Sequence, residues 1–135
     1  MKLKESKSVD LGFMLLEVYP QYVISTIKEG KTFDIPELKK LFSVFYEHYG
    51  DKPFVSIANR KYDYTINPTC FMKSHEKINL LGIGVVSKST QSSEITAFER
   101  NFFNGPFEIF DDMETSIAWA KKLLKVEKQN KKADL

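Results

Sequence analysis

Apolar and polar positions along the chain alternate in blocks that read as short strands and two-sided helices. Residues 11–19 (LGFMLLEVY) and 22–27 (YVISTI) are strand-like, the second rich in β-branched residues. Pro20-Gln21 separates them by so little that an antiparallel hairpin is expected, ended by Gly30. A helix is predicted over 35–49. Asp34 is placed to cap it, Glu37 stands three residues on as a capping box requires, and Pro36 falls in the first turn, where its missing N–H costs nothing. Phe33 and Leu38 are spaced as a hydrophobic staple. Ile35, Leu38, Leu41, Phe42, Phe45 and Tyr49 fall on one face, and Gly50 supplies the stop.

The second half alternates strand and helix. PFVSIA (53–58) reads as a strand, and 59–76 as irregular chain with a turn at Asn67-Pro68 and a short helical turn near 69–75. INLLGIGVVS (78–87) is the most apolar run and is apolar on both faces, so it is expected as a central strand covered on both sides. A second helix is predicted over 89–103, capped by Ser89 or Thr90, with Ile95, Phe98 and Phe102 inward. PFEIF (106–110) follows as a strand. Asp111 is the expected cap of a third helix, which buries Met113, Ile117, Ala120 and Leu124, with Trp119 and Leu123 widening the stripe. The lysines at its end suit the negative pole of the helix dipole, and the last residues, KQNKKADL, read as a frayed tail. The order β-β-α-β-α-β-α predicts an α/β fold: a mixed sheet of about five strands, parallel at its centre, with an antiparallel edge and helices packed on it.

Composition narrows the function classes. A chain of 135 residues fits one domain with a real core, expected at about 11–124 with 125–135 as tail. A net charge of +2 is too small to point to nucleic acid. Cys70 is the single cysteine, which rules out an internal disulfide and a site built from thiolates. The basic start has its apolar part broken by Asp10 and Glu17, which argues against a signal peptide, and no apolar run approaches the roughly 18 residues of a membrane span. A cytoplasmic protein is the expectation.

Few motifs carry chemistry. Gly82-Ile83-Gly84 lies inside a strand, with Ser87 where a dinucleotide fingerprint needs its third glycine, so it reads as close helix packing on the strand. His48 and His75 have no ligand-spaced partners, and no local signature makes Cys70 a nucleophile. Glu94, Glu99 and Arg100 read as the solvated side of the second helix. No cofactor or metal is expected. The stretch after the strand 53–58 is richer. Ligands of open α/β sheets bind beyond the carboxyl ends of parallel strands, and there the chain reads NRKYDYTINP. Arg60 offers a planar fork for carboxylate or phosphate, Tyr62 and Tyr64 offer half-polar contact area, and Asn59 completes a candidate partner-binding set.

The segments EVYPQYVISTIKEG, DKPFVSIANRKYDYTINP, INLLGIGVVS and TAFERNFFNGPFEIFDDMETSIAWAKKLL, in this order of elements, resemble the SpoIIAA-like (STAS-type) domains, most of all their small stand-alone bacterial members. Phe98-Glu99, Phe102-Phe103, Phe107, Phe110, Ala118 and Trp119 carry the late part of the resemblance. These are packing residues, so they speak for fold before activity. In regulatory members a serine after a core strand, at a helix N-terminus, is phosphorylated by a partner kinase. The stretch after Ala58 has no Asp-Ser-Ser-Gly-like sequence, and Thr65 and Thr69 are its only hydroxyls besides tyrosines, so no such serine is carried over. The resemblance implies a non-enzymatic regulatory or protein-interaction module with a protein partner, whose edge strand offers a route to a homodimer. The alternative expectation is a binder of a small apolar or lipid-like ligand in a Phe-lined pocket.

Overall fold

A computed structural model describes residues 6–72, 78–88 and 90–133. His75 and Ser89 lie outside them. Among the described residues the elements are β1 (Lys7–Asp10), β2 (Met14–Val18), β3 (Tyr22–Ile27), β4 (Thr32–Phe33), α1 (Ile35–Tyr49), β5 (Pro53–Asn59), β6 (Thr65–Ile66), β7 (Asn79–Val86), α2 (Thr90–Glu99), β8 (Phe107–Phe110) and α3 (Met113–Ala133). Six strands form one sheet in the order β1-β2-β3-β5-β7-β8. The first three are antiparallel, and β3, β5, β7 and β8 run parallel. The expected mixed α/β sheet with its antiparallel edge is therefore present.

The start of the chain departs from expectation. Residues 11–19 are not one strand. Gly12 takes a φ of 90°, and the Asp10 carboxylate accepts a hydrogen bond from its N–H at 2.8 Å, so the chain turns there and β1 pairs back on β2. A second small sheet, β4 beside β6, ties the loop after β5 to the entrance of α1. Two-residue strands leave no periodic trace in the sequence.

α1 forms over the predicted residues for the predicted reasons. The Asp34 carboxylate accepts from Ile35 N–H at 2.8 Å, and the Glu37 carboxylate returns to Asp34 N–H at 2.9 Å. Gly50, at φ 59°, donates its N–H to the Tyr46 carbonyl at 2.9 Å. The helix lays Leu38, Leu41, Phe45 and Tyr49 on one sheet face against Met14, Leu16, Val23 and Phe54. The Tyr49 ring stacks on Phe54, with centroids 4.2 Å apart. Its hydroxyl sits 2.6 Å from the Tyr19 carbonyl and 2.8 Å from that of Tyr22, pinning the β2–β3 turn to the helix end.

α3 covers the opposite face, burying Ala120 and Leu124 against Val55, Ile57 and Val86. Its cap is Asp112 rather than Asp111: the Asp112 carboxylate accepts from Thr115 N–H at 2.7 Å. The helix continues through Ala133, where a frayed tail was the expectation. Lys121, Lys122, Lys125 and Lys128 lie on its exposed side. β7 occupies 79–86 and is second from the edge in strand order, not in the middle, yet it is covered on both faces as expected. Gly82 and Gly84 face α3. A Cβ on Gly82 would lie 2.9 Å from a Leu123 methyl, and one on Gly84 would lie 3.2 Å from the Trp119 ring. The Gly-x-Gly is thus a packing groove, as its place inside a strand implied.

Gly84→Val is predicted to destabilise the fold by about 1–3 kcal/mol, the usual range for overpacking a filled core. Urea unfolding checks this. An unchanged midpoint would mean that α3 does not sit this close to β7.

Candidate functional site

α2 lies on the α1 side of the sheet, and its orientation reverses the expected one. Ile95 and Phe98 are 49% and 58% exposed, while Thr96 and Glu99 are buried. Phe102, in a 3-10 turn that extends the helix (Arg100–Phe102), is half-buried and packs edge-on against Phe98 at a centroid distance of 5.3 Å. The apolar stripe faces out and the polar one faces in. Expected capping of this helix by the Ser89 or Thr90 side chain falls outside the described part.

The cause is Arg60. On β5, Phe54, Ser56 and Ala58 face the α1 side by the two-residue alternation of a strand, and Arg60 continues that series at the strand's end. Its side chain is 9% exposed. Burying a guanidinium requires a counter-charge and hydrogen-bond acceptors. Here Nε donates to the Tyr64 hydroxyl at 2.7 Å, Nη1 to the Thr96 hydroxyl at 2.6 Å, and Nη2 to the Glu99 carboxylate at 3.0 and 3.3 Å. The guanidinium carbon also lies 5.0 Å from the Tyr64 ring centroid. Burial pushes the Glu99 carboxyl above the ordinary glutamate value, and Arg60 only partly offsets this. Burial likewise raises the Tyr64 phenol, against the pull of Arg60.

This cluster separates two spaces. Outward lies a groove of about 580 Å³ between the loop 60–68 and α2, with Lys61, Tyr62 and Asp63 on one wall and Ile95 and Phe98 on the other. Tyr62 is 39% exposed, and the Lys61 ammonium stands 5.5 Å from its ring centroid. Inward lies a cavity of about 90 Å³ beneath α1, bounded by Phe45, Ala58, Cys70, Ile83, Val85 and Phe103 among others. Arg60, Tyr64 and Ile66 border both spaces.

Of the four residues singled out from the sequence, the structure thus brings Arg60 and Tyr64 together, but turned inward. Tyr62 points to the groove, and Asn59 closes β5 opposite Val86. Glu99, read from sequence as solvated, is 2% exposed at its side chain and is the counter-charge. Glu94 is exposed as expected, and Arg100 donates to the Phe107 carbonyl at 3.1 Å. Thr96 and Glu99 were missed because Ile95 and Phe98 satisfy helical spacing equally well. The one usable signal was the lone arginine closing an otherwise inward-facing strand series. His48 borders a separate shallow depression beside Tyr19 and Tyr49, whereas Cys70 is buried at the cavity. Among the described residues no group of three or more His, Cys, Asp and Glu could hold a metal ion, and no helix is long and apolar enough to cross a membrane.

Arg60→Met leaves Glu99 buried without its cation and is predicted to cost about 3–5 kcal/mol, as breaking a buried pair does. Replacing both, Arg60→Met with Glu99→Leu, should recover most of that loss. Denaturant unfolding of the single and double variants measures the coupling. Additive losses would mean that the two side chains do not meet.

No protein-family model matches the sequence, and no curated protein matches it significantly. Among solved structures, the fold is similar to the crystal structure of an uncharacterized protein of the DUF3478 family, described as having a SpoIIAA-like fold, from Shewanella loihica PV-4. The TM-score is 0.53 with 10% sequence identity, over 89% of this chain and 97% of that one. At that identity the likeness speaks for architecture alone: the chain has a SpoIIAA-like α/β fold.

Proposed function

We propose that this protein is a non-enzymatic docking module whose working surface is the groove between the loop 60–68 and α2. The observation that carries the reading is the reversed face of α2. A helix that leaves Ile95 and Phe98 about half exposed while burying a glutamate forgoes part of the about 1.5–3 kcal/mol that full burial of each such side chain would contribute. An exposed aromatic and aliphatic patch facing Tyr62 is the composition of an interface centre. The partner it suits is a protein that inserts an aliphatic or aromatic side chain between Tyr62 and Phe98. Lys61 and Asp63 on the same wall give the rim both signs of charge, which favours a mixed protein surface over a polyanion or an anionic membrane. In this reading Tyr62 makes the contact, while Arg60 and Tyr64 hold the wall that Tyr62 stands on. Asn59 fixes the point where the loop leaves the sheet.

The test is photo-crosslinking in the source cells, with a benzophenone amino acid at position 98 or, as a control, at position 46, where Tyr46 is 55% exposed on α1. One defined protein adduct is expected from position 98 and not from 46, lost when Tyr62→Asp is added with no fall in melting temperature. Equal adducts from both positions, adducts to lipid, or an adduct only to a second copy of the chain would overturn the reading.

A further inference from the structure

The floor of the interior cavity is made by small residues on the two central strands. On the sheet face beneath α1, β3 presents Val23, Ser25 and Ile27, and β5 presents Phe54, Ser56 and Ala58. The parallel register sets Val23 beside Ser56 and Ser25 beside Ala58. Three small side chains therefore meet where their neighbours along the same face are larger. About 90 Å³ is left open between them, Phe45 of α1, and Ile83 and Val85 of β7. That is several times the space one water needs, and it suits a body of about six non-hydrogen atoms. The polar groups on this floor are neutral. Ser25 is buried, both serines line the cavity, and neither hydroxyl makes a hydrogen bond to another described residue. The charge at the cavity's edge, in contrast, is already committed. Arg60 gives Nε to Tyr64, Nη1 to Thr96 and Nη2 to Glu99, so its cation is matched from the groove side.

We infer that this cavity is a binding site for a small neutral molecule with a compact apolar body and one hydroxyl or carbonyl oxygen, which pairs with a hydroxyl of the serine floor. The apolar body fills the space between Phe45, Ile83 and Val85, where contacts are otherwise missing. A serine hydroxyl both donates and accepts, so it takes an alcohol or a ketone alike. A pure hydrocarbon of the same shape gains the packing and leaves the hydroxyls unmatched. An ion of that shape gives up its water and finds no free counter-charge, because Arg60 and Glu99 already neutralise each other. The inference does not rest on the docking reading, since it concerns the inner space and a different ligand.

The experiment titrates the purified chain with cyclopentanol, cyclopentane and cyclopentylamine at neutral pH, followed by calorimetry and by the methyl signals of Ile83 and Val85. Cyclopentanol is expected to saturate one site per chain and to shift those methyls, and the charged amine to do neither. Ser25→Ala with Ser56→Ala removes the hydroxyls and should weaken cyclopentanol by about tenfold, while cyclopentane binds as well as before or better. Ala58→Leu fills the cavity and should abolish binding of both while the melting temperature holds or rises. If the double alanine variant does not fold, nuclear Overhauser contacts in the wild type carry the test: the carbinol proton of cyclopentanol should lie against the β-protons of Ser25 or Ser56. No saturable cyclopentanol binding, equally tight binding of the amine, a double alanine variant that weakens both ligands alike or neither, a carbinol proton remote from both serines, or full binding by Ala58→Leu would each overturn the inference. None of these readouts involves Tyr62 or position 98, so this result and the crosslinking result can fail independently.

Discussion

The buried pair of Arg60 and Glu99 is the constraint from which the rest of this face follows. A guanidinium turned into an apolar interior has to be neutralised, and an uncompensated buried charge would cost several kcal/mol. The chain supplies the counter-charge from α2, 39 residues away. Once Glu99 and Thr96 must point inward, helical geometry leaves Ile95 and Phe98 pointing outward, because residues one apart cannot share a face. One electrostatic requirement therefore fixes the rotation of a helix and, with it, the exposure of an apolar patch.

The two faces of the sheet contrast accordingly. On the α3 side, Gly82 and Gly84 admit the helix so closely that side chains interlock, and Ala120 and Leu124 seal against Val55 and Ile57. Among the described residues that face buries no charged side chain, and it is packed for stability. On the other side α1 seals the antiparallel end, but between α1 and α2 the packing is interrupted by a small cavity and then by a polar cluster that opens into a groove. The groove lies at the carboxyl end of β5, beside the loop that follows it, where open α/β sheets generally leave room for ligands, and the cavity adjoins it at Arg60.

Most of the architecture could be read from the chain because local and global signals agree. α1 has cap, staple, stripe and stop; β3, β5 and β7 are apolar runs of ordinary strand length; and the inner face of α3 has helical spacing over three turns. What could not be read lacks such redundancy. β4 and β6 are two residues each and exist only because they meet. β1 depends on Gly12 turning where an apolar run suggested continuity. For α2, both stripes are regular, and hydrophobicity alone picks Ile95 and Phe98. Only the position of Arg60, and the cost of leaving it unpaired, selects the other stripe. The candidate set was legible in the same partial way. Asn59, Arg60, Tyr62 and Tyr64 were singled out together, yet the structure joins only Arg60 and Tyr64, and they turn inward toward a glutamate that the pattern assigned to solvent.

The most direct measurement of this account is the titration of the Glu99 side-chain carboxyl, followed by its carbon-13 shift in the intact protein. Burial raises the Glu99 carboxyl and Arg60 only partly offsets this, so its midpoint is expected above the ordinary glutamate value and is expected to change when Arg60 is replaced. A midpoint at or below that value, insensitive to Arg60, would place Glu99 in water. It would then return Ile95 and Phe98 to the interior and remove the basis for the proposed docking groove.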